Sequence, residues 1–188
     1  MKQNIRILGI DDAPFDRFRQ KTSLLIFTLM RLDFTVEGFE RKEVVIDGTD
    51  STLAIEEVMS QGIGKNADLV MADGITFCGF NICDFRDVND RTGTPVISVT
   101  RREPDITSMM RAIEKHHPNR RLALEILERS SVSRLDLSAK KTVYVNVFGI
   151  GLQEAKRVIV NATKTGIMPE PVRLSHLIGT GLFKSRTN

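Results

Sequence analysis

The stretch IRILGID, residues 5–11, decides the fold, because it is a short run of branched apolar residues that ends on an acid. Such a run predicts a buried β-strand, and Pro14 marks the loop that follows it. A later run, DLVMAD at residues 68–73, has the same character and also ends on an aspartate. The sequence therefore predicts two core strands that each carry a carboxylate at the carboxyl end.

Apolar runs and turn residues divide the rest of the chain into further strands and helices. The polar link at residues 31–33 is typical of a hairpin, so the strands on either side of it are predicted to pair antiparallel. Glycines and prolines mark the ends of the later elements. The further predicted elements are strands at 23–31, 33–47, 95–100 and 142–147, and helices that start near 48–52 or occupy about 80–90, 105–115, 120–129, 153–163 and 172–183.

The order of the predicted elements indicates an α/β fold. Three early strands can pair antiparallel, whereas the later strands alternate with helices and so favour parallel pairing through right-handed crossovers. A mixed sheet flanked by helices in this order is typical of a ribonuclease H-like fold, although other α/β folds also fit. The length of 188 residues predicts a single domain over residues 1–188.

Composition argues against several classes of protein. No apolar run approaches the roughly 20 residues that span a bilayer, and the N-terminal stretch turns acidic before any signal-like region, so a cytoplasmic protein without a membrane partner is expected. Cys78 and Cys83 lack the spacing of a zinc site or a disulfide framework. The net charge of +3 is too small to identify a nucleic-acid-binding protein by itself, and nothing indicates an oligomeric state.

Three aspartates are the candidate catalytic and metal-binding residues. Asp11 and Asp73 end strands whose carboxyl ends can share one edge of the sheet, where open α/β sheets bind ligands. Asp50 lies at the start of the helix between them. Carboxylates held close together repel one another and need protons or cations, and hard oxygen ligands suit Mg²⁺ or Mn²⁺. Such ions stabilise the attacking and leaving oxygens of a phosphodiester.

Each of these aspartates also has an ordinary structural explanation. Asp50 is a favourable N-cap residue, Asp73 before Gly74 is common turn chemistry, and Asp11 can simply end a strand before Pro14. Taken singly, the structural explanations are the better ones. The pairing of two apolar strands that both end on Asp is what favours a shared site.

Several motifs resemble those of endonuclease V, and they occur in the same order. The matching motifs are GID at residues 9–11, DLVMADG at 68–74, TGTPVISV at 92–99 and PEPVRL at 169–174. The strings GIDDA at 9–13, DGTDST at 47–52 and DGITFCGFN at 73–81 resemble more closely a mostly archaeal family, domain of unknown function ninety-nine. The chain is identified as a member of this family, which is similar to endonuclease V. The resemblance implies a ribonuclease H-like, endonuclease V-like domain.

The resemblance also implies Mg²⁺-dependent cleavage of nucleic acid. Asp11 and Asp73 match two metal-binding aspartates of endonuclease V, and the glutamate between them falls nearest to Asp50, with Asp47 as the competitor. Arg101 occupies the position of a lysine after the Gly-x-Pro strand and is expected to contact a phosphate.

Two departures bear on specificity. The histidine that follows Asp-Gly in endonuclease V is Ile75 here, and the aromatic-proline wedge that probes a damaged base has no counterpart near residues 44–47. The resemblance therefore implies that the metal ligands are mostly retained, whereas the parts that read the damage are lost. Specificity for inosine is not expected.

Other residues are candidates for substrate contacts. Asp12 adjoins the first metal-binding aspartate, and Phe77 and Phe80 can stack on a base, although core packing is their commoner use. Arg173 either ties the last helix to the body or contacts a phosphate. His176 lies on the same predicted helix, where a structural role is expected.

Three hypotheses about function follow. The first is a metal-dependent nuclease or phosphodiesterase acting on DNA or RNA, with Asp11, Asp50 and Asp73 holding Mg²⁺ or Mn²⁺ and Asp12 assisting. The second is a non-catalytic protein of the same fold that binds nucleic acid or a nucleotide. The third is a protein-interaction module in which the acids are structural.

Overall fold

The computed structural model describes residues 5–117 and 119–186, which form strands and helices in alternation. In chain order, the elements are β1 (Arg6–Asp12), β2 (Thr22–Arg31), β3 (Val36–Val45), α1 (Ser51–Gln61), a 3₁₀ turn (Ile63–Asn66), β4 (Leu69–Asp73), β5 (Thr76–Phe77), β6 (Asn81–Ile82), α2 (Phe85–Thr92), β7 (Val96–Thr100), α3 (Ile106–His116), α4 (Arg121–Glu128), β8 (Ser133–Ser138), β9 (Lys141–Phe148), α5 (Leu152–Ala162) and α6 (Glu170–Arg186).

Seven of these strands form one mixed sheet in the order β3-β2-β1-β4-β7-β9-β8. The strands β1, β2 and β3 pair antiparallel, whereas β4 pairs parallel with both β1 and β7. On the far side, β9 is antiparallel to β7 and to β8. The predicted α/β class, with three early antiparallel strands followed by parallel crossover strands, is confirmed.

Two elements differ from the sequence predictions. The edge strand β8 was not predicted, because its sequence SRLDLS buries only Leu135 and offers little apolar alternation. The helix predicted at about 80–90 begins only at Phe85, because the Asp84 carboxylate caps it by accepting hydrogen bonds from the backbone N–H groups of Arg86 and Asp87. The residues before it form the short hairpin β5–β6 instead.

The helices cover both faces of the sheet. One apolar core lies under α1 to α4 and includes Leu8 and Ile10 of β1, while the other lies under α5 and α6 and includes Ile7. Neighbouring residues of β1 therefore point to opposite faces, as expected for a strand. Within the part of the chain that the structure describes, no helix is both long and apolar enough to cross a membrane.

The last helix, α6, packs closely against β1 at a point where the sequence has glycine. A Cβ atom on Gly9 would lie 2.2 Å from the carbonyl carbon of Pro171, so no larger residue fits without moving the helix. One turn later, the buried hydroxyl of Ser175 lies 3.0 Å from the Gly9 carbonyl oxygen and 2.9 Å from the hydroxyl of Thr28. The glycine of the GID motif therefore sets how near α6 approaches the strand.

Replacing Gly9 with alanine is expected to destabilise the fold. The new methyl group meets backbone atoms, which cannot rotate away, so we expect a loss of about 3 kcal/mol or more and a fall in Tm of about 6 °C or more. Thermal unfolding followed by circular dichroism measures this. Gly181→Ala on the same helix is the control, because nothing lies within 4 Å of its Cβ position and alanine favours the helix. Equal Tm values for Gly9→Ala and the unmodified protein would contradict the account.

Candidate functional site

An open cleft of about 460 Å³ lies at the carboxyl ends of β1 and β4. Parallel strands of α/β sheets place ligands at this edge. Its lining residues are Asp11, Asp12, Ala13, Pro14, Phe15, Asp73 and His176. The cleft therefore brings together two of the three aspartates predicted as metal ligands, together with Asp12.

The pairing of β1 with β4 explains why Asp11 and Asp73 meet. Ile10 lies opposite Ala72 in the parallel register, so the next residue of each strand is one of the two acids. Side chains alternate between faces, and both acids lie on the face of the sheet that α6 covers. Strand order and register alone are thus sufficient to place the two carboxylates side by side.

The electrostatics of the cleft disfavour a full set of negative charges. Burial, together with the nearby charges of Asp73 and Asp12, raises the pKa of Asp11 to about 8. Burial also raises the pKa of Asp73, although the positive charges of Arg101 and His176 oppose the rise. The pKa of Asp12 is raised by burial as well. Such a group of acids is stabilised by protons or by a cation.

His176 is a site residue that the sequence analysis assigned only a structural role. Its Nδ1 atom lies 2.8 Å from Oδ2 of Asp11, and its side chain is about half exposed to the cleft side of α6. The close packing of α6 on Gly9 brings the histidine there. The available signal was its position three residues after Arg173 of the PEPVRL motif, on the same face of the helix.

The side chain of Asp12 points to the opposite face of the same strand. Its Oδ2 atom accepts a hydrogen bond of 2.6 Å from the backbone N–H of Cys78, which lies in the turn of the hairpin β5–β6. The backbone N–H of Asp12 in turn donates to Oδ1 of Asp11. The two adjacent acids therefore link α6 on one face to the hairpin on the other.

The structure does not bring Asp50 into the cleft. Its carboxylate accepts hydrogen bonds from the backbone N–H of Val45 and, at 2.6 Å, from Nδ2 of Asn81. The competitor, Asp47, accepts from the backbone N–H of Phe80 at 2.8 Å. Neither candidate for the middle acid lines the cleft, because both hold the hairpin β5–β6 in place, and Asp50 as the third metal ligand stays a prediction.

The two phenylalanines proposed to stack on a base are also placed away from the cleft. Phe77 is fully buried and makes an edge-to-face contact with Phe85, with ring centroids 6.2 Å apart, so it belongs to the core. Phe80 is half-buried, and its ring lies 6.0 Å from that of His117. The prediction that Phe77 contacts a substrate is corrected, because no base can reach a fully buried ring.

The two predicted phosphate-binding arginines differ in placement. Arg101 is exposed just after β7, and its charge acts on Asp73, so it lies near the cleft. The guanidinium of Arg173 instead forms an ion pair with Glu170, with Nε 2.7 Å from Oε2. Glu170 also accepts a hydrogen bond from the backbone N–H of Thr165. Arg173 therefore supports the start of α6 through Glu170, and its contact with a phosphate stays a prediction.

The donor chemistry of the cleft fits a hard divalent cation. Asp11 and Asp73 supply carboxylate oxygens on one face, and a positive ion there would offset the burial and repulsion that raise their pKa values. Among residues 5–117 and 119–186, however, no three His, Cys, Asp or Glu side chains are grouped closely enough to hold a metal ion. The carboxylates of Asp11 and Asp73 are the donors that a cation in the cleft would use.

A second, smaller cavity is lined by Gly74, which follows Asp73, and lies on the side of the sheet that α1 to α4 cover. It has a volume of about 70 Å³ between β7, β9 and α3, and its lining residues are Gly74, Ile75, Thr76, Ser98, Thr100, Pro104, Ile106, Met109, Val132, Tyr144, Val145 and Asn146. The lining is mainly apolar with a few polar groups, as is usual for small-molecule sites.

The geometry can be compared with known proteins. A family model described as Endonuclease dU matches residues 3–183. The chain belongs to the Endonuclease dU family. One similar protein is the UPF0215 protein of Methanothermobacter thermautotrophicus, which is 33% identical over 97% of this chain and 89% of its own length. The predicted membership of a mostly archaeal family is thus confirmed.

Two solved structures superpose on this chain over most of its length. A protein of unknown function from Archaeoglobus fulgidus superposes with a TM-score of 0.82 at 30% identity, covering 95% of this chain and 98% of that one. Endonuclease V of Ciona intestinalis, in complex with an inosine-containing DNA, gives a TM-score of 0.65 at 12% identity and covers 98% and 88%. The second match shows the fold, so the ribonuclease H-like prediction is confirmed.

The raised pKa of Asp11 predicts a pH-dependent stability. An unfolded Asp11 ionises near 3.8, whereas the folded protein keeps it protonated up to about pH 8. The contribution of neutral Asp11 to the free energy of unfolding is complete below about pH 4 and is lost as the pH rises towards 8. Asp11→Asn removes this loss, so its Tm in EDTA is expected to exceed that of the unmodified protein by several degrees near pH 8 and by much less near pH 5.

The matched control for this experiment is Asp90→Asn, because Asp90 is exposed on α2. Its Tm is expected to stay close to that of the unmodified protein, because the change is on the surface and removes no packing. A constant Tm difference for Asp11→Asn over the same range would show that the carboxyl group is not held neutral in the fold.

Proposed function

We propose that this chain is a divalent-metal-dependent endonuclease that cuts the nucleic-acid backbone. The observation that supports it is the pair of carboxylates on adjacent parallel strand ends in an open cleft, buried Asp11 and half-buried Asp73. The family description, Endonuclease dU, names the same reaction class.

In this proposal, Asp11 and Asp73 hold the cation. Mg²⁺ is commonly bound by one or two carboxylates and completes its coordination with water and substrate phosphate oxygens, so a third protein ligand is not required. When bound, the metal would supply Lewis acidity to the phosphodiester and lower the pKa of a water molecule. Mn²⁺ suits the same oxygen ligands.

The other residues of the cleft position the substrate and move protons. His176 is held through Nδ1 by Asp11, which leaves Nε2 as the ring nitrogen that can exchange a proton with a substrate oxygen or water. Arg101, exposed beside Asp73, is placed to contact a phosphate. Asp12 acts indirectly, because its carboxylate fixes the hairpin next to the cleft.

DNA that contains deoxyuridine is the proposed substrate. The family description names dU, and the smaller cavity, which Gly74 and Ile75 line just after Asp73, is the candidate pocket for its base. Inosine is less suitable, because Ile75, buried in the wall of that cavity, stands where endonuclease V has a histidine.

A second candidate is a protein of the same fold that binds nucleic acid without cutting it. It is favoured by the placement of Asp47 and Asp50, which are both bonded to the hairpin β5–β6 and so leave the cleft with two carboxylates on one face. The two candidates differ in metal binding and in turnover, which separate experiments measure.

Metal binding is expected to depend on Asp73 and not on Asp50. Calorimetric titration with Mg²⁺ and Mn²⁺ should give binding to the unmodified protein and at least about tenfold weaker binding to Asp73→Asn, because one of two ligands becomes neutral. Asp50→Asn is the matched control: it should lower Tm by weakening the bonds to Val45 and Asn81 but keep its metal affinity. Metal binding lost in Asp50→Asn alone would restore Asp50 as the ligand.

Cleavage is expected to require the same two acids. Labelled single-stranded and duplex DNA and RNA, with and without deoxyuridine or inosine, are incubated with Mn²⁺ and resolved by gel electrophoresis. We expect cleavage next to deoxyuridine and a loss of at least about 100-fold in Asp11→Asn. Binding without cleavage of any substrate would favour the second candidate, and cleavage that survives Asp11→Asn would refute the catalytic assignment.

A further inference from the structure

Phe18 is exposed to an unusual degree. Its side chain is 95% exposed, more than any other large apolar side chain among the described residues. Apolar side chains of this size are normally buried, at least in part, because exposure to water is unfavourable. An aromatic ring presented alone in solvent is therefore a candidate contact for a partner.

The loop that carries Phe18 has a defined conformation. The backbone N–H of Phe18 donates to Oδ1 of Asp16 at 2.9 Å, and the carbonyl oxygen of Asp16 accepts from the backbone N–H groups of Arg19 and Gln20. The side chain of Gln20 closes the turn by accepting from the backbone N–H of Asp16 at 2.7 Å. These bonds hold the ring outward, so its exposure is built into the turn.

The loop also borders the cleft. Pro14 and Phe15, which precede the turn, line the cleft that contains Asp11 and Asp73. Arg17 lies 3.5 Å from Asp47, the residue that bonds the hairpin β5–β6. The ring of Phe18 is thus fixed to the rim of the candidate active site.

The surroundings of Phe18 are cationic. Arg17 and Arg19 flank it, and Lys21 follows; all three are exposed, although Arg17 lies 3.5 Å from Asp47 and Arg19 lies 3.5 Å from Asp16. An aromatic ring among exposed cations matches a nucleic-acid strand, in which apolar base faces alternate with phosphates. A second copy of this chain fits less well, because pairing two such loops would bring like charges together.

We propose that Phe18 stacks on an unpaired base of a nucleic-acid strand that lies across the cleft, while the flanking arginines contact its phosphates. This inference deepens the proposed function, since it rests on nucleic acid as the partner. It does not depend on a bound metal or on cleavage. Phe18 is a positioning residue: it holds the strand and does not touch the reacting atoms.

The test uses the absence of tryptophan from this chain. In Phe18→Trp the new indole is the only one in the protein, and its emission is quenched when it stacks on a base. The variant is titrated in EDTA with a short single-stranded DNA oligonucleotide, and binding is followed in parallel by the anisotropy of a label on the DNA. We expect emission to fall in step with binding.

Phe39→Trp is the matched control. Phe39 is 62% exposed on β3, so the substitution places a largely exposed indole on another part of the surface. Its emission should not change on binding. In addition, Phe18→Ala should bind the oligonucleotide about tenfold more weakly with an unchanged Tm, because stacking is lost and no packing is removed, whereas Phe39→Ala should bind normally.

Three results would overturn the inference. One is unchanged Phe18→Trp emission at DNA concentrations where anisotropy shows saturation. Another is the absence of DNA binding altogether. The third is quenching that depends on protein concentration without DNA, which would assign the ring to contacts between copies. If the protein binds DNA but does not cleave it, the quenching should still be seen. Repeating the titration with Asp73→Asn present in addition to Phe18→Trp tests this, because the stacking should persist when a residue proposed for cleavage is changed.

Discussion

The close approach of α6 to β1 is the contact on which the site depends. It is possible only because residue 9 is glycine, which lets the backbone of Pro171 lie where a Cβ atom would otherwise be. Once the helix is seated, the hydroxyl of Ser175 satisfies buried oxygen atoms of Gly9 and Thr28. The next residue, His176, is then carried to Asp11 at the end of the same strand. The packing of α6 on Gly9 thus determines that His176 lies next to Asp11 in the cleft.

Aspartates near the cleft have a second use, which is to hold the hairpin β5–β6. Asp12, Asp47 and Asp50 each direct a carboxylate to it, bonding Cys78, Phe80 and Asn81. Arg120 adds a bond from the outside, with Nη1 donating to the carbonyl oxygen of Phe80. A hairpin of two-residue strands has little stability of its own, so these charged anchors add to the core contacts that Phe77 and Ile82 make.

The parts of the fold that depend on the local pattern of apolar and turn residues could be predicted from the sequence. The meeting of Asp11 and Asp73 could be predicted, because it follows from two apolar strands that end at the same sheet edge. The place of His176 could not, because its contact joins residues 165 positions apart and depends on how a helix docks. The bonds of Asp50 to Val45 and Asn81 and the burial of Phe77 could not be predicted for a related reason: the sequence does not reveal which way an acid at a helix start or an aromatic beside a turn faces.

The two faces of β1 contact different elements of the fold. Asp11 faces α6, and Asp12 faces the hairpin β5–β6. A slip of one residue in a strand exchanges the faces of all its side chains, so it would send Asp12 towards the helix and Asp11 towards the hairpin, and would move Gly9 away from Pro171. Insertions and deletions within β1 are therefore incompatible with the site, and changes of length in this part of the chain have to fall in the loop that carries Phe18.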